Sequence, residues 1–76
     1  MLNKIKLHAN QRTYIVADTN NIGYSFLVAV DSVQINNFII ALDIKTDKNG
    51  LTSWTAGHYF TYFKNAIRFW KAIETI

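Results

Sequence analysis

The 76-residue sequence contains no cysteine and no proline, and each absence removes a class of protein. Without cysteine there is no disulfide framework, no thiolate zinc site and no cysteine nucleophile. Without proline there is no rigid linker and no polyproline ligand. Charged residues make up only 17% of the chain, against about 25% in an ordinary globular domain. Apolar runs such as Phe38 to Leu42 stay far short of the roughly 20 residues that cross a bilayer. Lys4 and Lys6 are not followed by the apolar stretch of a signal peptide. The expectation is a soluble, cytoplasmic chain with no membrane partner and no cofactor.

What is present is grease and a modest positive charge. Hydrophobic residues account for 50% of the chain, and 8 basic against 5 acidic residues give a net charge of +3. A chain of this length is one domain, residues 1–76, burying only about 60% of its unfolded surface. Small domains usually add a disulfide, a metal or a second subunit to a marginal core. Here a homodimer or a protein partner is the simplest destination for surplus apolar surface. The positive charge favours nucleic acid or an acidic protein surface.

The periodicity predicts α+β: an antiparallel sheet of four to five strands with one C-terminal helix packed on one face. Lys4 to His8 alternates polar and apolar residues, and Thr13 to Ala17 is β-branched and aromatic. Asp18 to Asn21 supplies turn chemistry before Gly23. Tyr24 to Val33 and Phe38 to Lys45 read as a hairpin turning at Asn36-Asn37. Asp47-Lys48-Asn49-Gly50 is the clearest turn, with Leu51 to Thr55 a short last strand. From Thr61, a reasonable N-cap, the period becomes helical. Phe63, Ala66, Ile67, Trp70 and Ile73 form one stripe, and Tyr62, Phe69 and Ile76 a second beside it.

The second stripe is more apolar surface than one sheet face requires. In the hairpin, Phe26, Val28, Val30, Phe38, Ile40 and Leu42 suit the helix side, yet Leu27, Ala29, Ile39 and Ala41 fall on the other. Both elements are expected to have apolar surface left for a partner.

No constellation rises to a reaction class. Ser25, Ser32 and Ser53 lack the context of a nucleophile, and the two histidines, His8 and His58, show no metal-ligand spacing. Asp31 and Asp43 would become diagonal neighbours if Asp43 lay opposite Ala29, but two carboxylates with no third ligand make a poor metal site. Solvation or pairing with Lys45 is the simpler expectation. An enzyme is therefore not expected.

Two groups remain as binding candidates. Trp54 to Phe60 gathers three aromatics and a histidine around Gly57, read here as the corner between sheet and helix. Trp54, His58, Tyr59, Tyr62 and Phe69 are the partner-binding candidates, because aromatic residues dominate interface energetics. Lys64, Arg68 and Lys71 form a basic ridge on the helix, and Lys4, Lys6, His8 and Arg12 a second cluster. These could track phosphates or an acidic surface.

Gly57-His58-Tyr59-Phe60 followed by Ala66 and Phe69 resembles a pattern in short orphan proteins of phages and mobile elements, over residues 54–70. Small inhibitors of host defence, anti-CRISPR proteins among them, belong to that group. The resemblance implies a stoichiometric inhibitor that blocks a host nuclease or effector complex by direct binding. Many such inhibitors are acidic mimics of nucleic acid, whereas this chain is basic, which points to a protein-surface inhibitor instead. The alternative is a small basic nucleic-acid-binding protein.

Overall fold

The computed structural model describes residues 3–7, 12–30 and 37–74. Among them, the strands are β1 (Asn3–Leu7), β2 (Thr13–Thr19), β3 (Tyr24–Ala29), β4 (Phe38–Leu42), β5 (Lys45–Thr46), β6 (Leu51–Ser53) and β7 (Ala56–Phe60), followed by helix α1 (Phe63–Glu74). They form one sheet in the order β5-β6-β1-β2-β3-β4-β7. The longer strands β1, β2, β3, β4 and β7 are antiparallel neighbours throughout. The α+β class, the antiparallel sheet and the C-terminal helix are therefore as expected. The short β5–β6 hairpin extends this sheet, β6 running parallel to β1.

Turn chemistry sets the boundaries. Asp47 Oδ1 accepts from the backbone N–H of Asn49 at 2.9 Å and of Leu51 at 3.0 Å, and Gly50 takes φ 83°. That left-handed conformation is open to glycine at no steric cost. The β2–β3 turn starts later than expected. A bulge between Val16 and Asp18 carries β2 on to Thr19, so Asn20 becomes the turn residue, accepting from the N–H of Ile22 and Tyr24.

The hairpin differs more. Tyr24 pairs with Leu42 and Val28 with Phe38, so β3 ends at Ala29 and β4 at Leu42. Asp43 stops β4 by adopting φ 55°, a conformation that aspartate tolerates better than most residues. The expected Asn36-Asn37 turn falls partly on residues 31–36, outside the described residues.

The sheet must curl. Five strand spacings separate β4 from β5, and five separate β6 from β7, about 24 Å if flat. Yet each link needs only three residue steps, Leu42 to Lys45 and Ser53 to Ala56, a reach of about 10 Å. The ends of the sheet are drawn together, and the Thr55 N–H and hydroxyl both donate to the Leu42 carbonyl.

Curling gives the sheet an inside and an outside. Inside lie Tyr14, Leu27, Ile39 and Ala41, all buried, with Val16, Ala29, Ile44 and Trp54 packed around them. Leu27 and Ile39 are 0% exposed. This corrects the expectation that Leu27, Ala29, Ile39 and Ala41 form a surplus face. The links that cross the curl bring Ile44 and Trp54 over that face, so the chain hides it unaided.

Helix α1 covers part of the outside, resting on β4 and β7. Ala66, Trp70 and Ile73 are buried with Phe26 and Ile40, and Trp70 meets Phe26 edge to face at 5.5 Å. Three expectations fail here. Phe63 belongs to the core stripe by spacing but is 55% exposed, because it borders a groove that is open beside the helix. Val30, expected on the helix side of the hairpin, is also exposed, lying beyond the end of β3. Thr61 is not the residue before the first turn. β7 continues through Phe60, and Tyr62 takes that position, its carbonyl accepting from the N–H of Asn65 and Ala66.

Candidate functional site

The stretch expected to be a corner is a strand. Residues 56–60 pair with β4, Ile40 opposite His58 and Ala41 opposite Gly57. No strand among the described residues pairs with the other side of β7, which forms one edge of the sheet. Its residues, Ala56-Gly57-His58-Tyr59-Phe60, include no Lys, Arg, Asp or Glu and no proline.

Alternation divides the candidate aromatics between the two faces of this strand. On the helix side, the His58 ring lies 4.5 Å from Phe69, and Phe60 lies 5.6 Å from Phe69. On the other side, Trp54 Nε1 donates to the Tyr59 hydroxyl at 3.1 Å. The indole lies across Gly57, where an added Cβ would sit 2.6 Å from Trp54 Nε1. Gly57 is needed for that close approach; the tight turn expected of it does not occur. Tyr59 is 50% exposed and Tyr62 64% exposed.

The flank of α1 above the β7 edge is also without charge. Tyr62, Asn65, Phe69 and Ala72 recur at helical spacing along it. Tyr62, Asn65 and Ala72 are exposed and Phe69 half-buried. Ile76, the expected last member of this stripe, lies outside the described residues.

The bases lie elsewhere. Lys64, Arg68 and Lys71 are all exposed on the outer side of α1. Of the second basic cluster, the described residues include the side chain of Arg12. Arg12 is half-buried, its guanidinium 5.1 Å above the Tyr14 ring and 3.4 Å from Asn37 Oδ1. Lys4 and Lys6 are part of β1, opposite Ile15 and Thr13; their side chains, and His8, lie outside the described residues.

On the far side of α1 from β7, an apolar groove of about 330 Å³ opens between the helix and β2–β3. Phe26, Val28, Phe63, Ile67 and Trp70 line it, with Asp18 and Lys71 at its rim. Spacing did not reveal this groove, because it arises from where the helix sits on the sheet. The edge position of β7 comes from the sheet order alone; in the sequence, the glycine and the three rings read as a corner.

The register that the carboxylate pairing required is not the one observed. The register places Ala29 beyond the paired segment, its N–H donating to the Asn37 carbonyl. Asp43 sits at the opposite end of the hairpin, its N–H donating to the Gly23 carbonyl. The expected diagonal needed Asp43 across from Ala29, which this register forbids; Asp31 itself lies outside the described residues. Among the described residues no three of His, Asp and Glu cluster as a metal-binding group, and no helix is long and apolar enough to cross a membrane.

Comparison with known proteins returned nothing: no family model, curated protein or solved structure matches this chain.

Proposed function

We propose that this chain is a non-enzymatic protein-binding module whose working surface is the β7 edge together with the uncharged flank of α1. The observation that carries the reading is an open edge strand with no charge, no proline and an aromatic pair on each face. Open edges present a row of backbone donors and acceptors, and proteins ordinarily protect them with charge, proline or a bulge. An edge left unprotected suits strand addition. Backbone hydrogen bonds then supply affinity and alternate side chains supply selectivity. Tyr59, Tyr62, His58 and Phe69 are the side chains for that second task. An inhibitor of a host nuclease complex, as the sequence resemblance implies, would act by occupying a strand or loop of its target in this way.

The test is capture of protein partners from lysate before and after nuclease treatment, with the Tyr62→Ala plus Phe69→Ala variant alongside. Capture that survives nuclease and is lost in the folded double variant supports the reading. Capture unchanged by the double variant overturns it.

A second reading rests on a separate observation, the exposed ridge of Lys64, Arg68 and Lys71. Binding of nucleic acid along it would weaken steeply between low and moderate salt, because each phosphate contact releases counterions. A flat salt response removes this reading.

A further inference from the structure

We propose that the occupant of the β7 edge is a second copy of this chain, paired antiparallel along β7 so that the two sheets become one across a twofold axis at His58. The inference rests on the reading of β7 as a protein-binding edge and names its partner.

Charge is the first argument. The chain carries +3, and in an isologous contact every residue near the axis meets its own kind. A self-association surface on a basic protein must therefore avoid its lysines and arginines. The helix places them well: Lys64, Arg68 and Lys71 are exposed on other parts of its surface, whereas the flank over β7 has no charged residue. The opposite edge makes the contrast. There β5 is only Lys45–Thr46, followed by Asp47 and Lys48, a short charged edge of the kind that prevents pairing.

Geometry is the second argument. Two copies of a five-residue strand overlap fully when Ala56 lies opposite Phe60 and Gly57 opposite Tyr59. Strands are about 4.8 Å apart, so a helix seated over β4 and β7 lies about 5 Å from the axis. The two α1 helices then run about 10 Å apart, an ordinary packing distance. Phe69 stacks on His58, which puts it at the axis, where small Ala72 and uncharged Asn65 adjoin it. On the other face, the two Trp54–Tyr59 pairs are brought side by side.

Tyr59 offers the decisive substitution, being half exposed and, in the paired register, a diagonal neighbour of its own counterpart within about 7–8 Å. Sedimentation equilibrium up to roughly 100 µM, where a micromolar contact is saturated, should give a dimer for the wild type and for Tyr59→Phe. Tyr59→Lys and Tyr59→Glu should each raise the dissociation constant at least about tenfold, since like charges face each other. Mixing the two should restore a heterodimer. Circular dichroism melts reveal whether either variant has lost its fold.

A monomeric wild type overturns the second-copy proposal but leaves the protein-binding reading standing if capture of another protein is still lost in the Tyr62→Ala plus Phe69→Ala variant. A dimer indifferent to Tyr59→Lys, or one not restored by mixing, overturns the β7 contact itself.

Discussion

The two faces of this sheet start from similar sequences and end differently. Leu27, Ile39 and Ala41 face inwards, Phe26, Val28, Phe38 and Ile40 outwards, and the two sets alternate along the same strands. The inner set is sealed, because the links of the curled sheet swing Ile44 and Trp54 across it. The outer set is shared with a 12-residue helix that sits to one side, over β4 and β7, and leaves a groove on its other flank. Apolar content therefore does not measure available surface. Topology decides which face is spent on the core and which can meet a partner.

The contrast is broken most severely by emptying the sealed face. Leu27→Ala or Ile39→Ala should lower the unfolding free energy by about 2–5 kcal/mol, the cost of a buried aliphatic side chain plus the cavity it leaves. In a small domain with about 5–10 kcal/mol in all, either change removes a large fraction of the stability. Urea denaturation measures it. A loss below about 1 kcal/mol would mean that the curl does not close on these residues.

Gly57→Ala probes where the two faces meet the edge. The new methyl lands on the Trp54 indole, 2.6 Å from Nε1, and 3.1 Å from the Tyr59 hydroxyl. The indole must swing aside, breaking its hydrogen bond and uncovering part of the inner core. A loss of about 1–3 kcal/mol is expected, as for other overpacked sites, together with a shift in tryptophan emission. Unchanged emission would show that the ring does not lie over the strand.

Asp47→Ala tests a turn far from both faces. Its carboxylate accepts two backbone hydrogen bonds, each worth about 1 kcal/mol net in an ordinary setting. Because the turn is exposed and water can replace the carboxylate, a loss of about 1 kcal/mol is expected. A larger loss would make the β5–β6 hairpin more central to the curl than its length suggests.

These sites also show how much of the molecule was legible in the sequence. Asp47 to Gly50 was, because turn chemistry is local: one carboxylate and one glycine suffice. The helix was, because Ala66, Trp70 and Ile73 repeat at its period. The hairpin register was not. It depends on where β3 and β4 end, and Asp43 ends β4 through a backbone conformation that its side chain permits without demanding. The burial of Leu27 and Ile39 was hidden for a different reason. It requires β6 to lie beside β1 with β5 beyond it, a long-range pairing that involves strands of two and three residues, too short to show a period. For the candidate site, the aromatic residues were visible in composition, but their division between two faces of an edge strand depended on recognising Ala56–Phe60 as a strand.

The smallest expected effect sharpens the comparison from the open side. Phe63 lies on the same outer face as Trp70 and touches Phe26 and Phe38 at ring distances of 6.2 Å and 5.6 Å, yet it is 55% exposed. Phe63→Ser removes those ring contacts but leaves no closed cavity, since the groove beside it is already open to water. Without a cavity term only part of the transfer free energy is lost, so the fall in stability should be about 1 kcal/mol or less. The β7 edge lies on the other flank of the helix, so association through it should be unchanged. A loss approaching that of Ile39→Ala would mean that the outer face is closed as tightly as the inner, and the distinction between a spent face and an available one would fail.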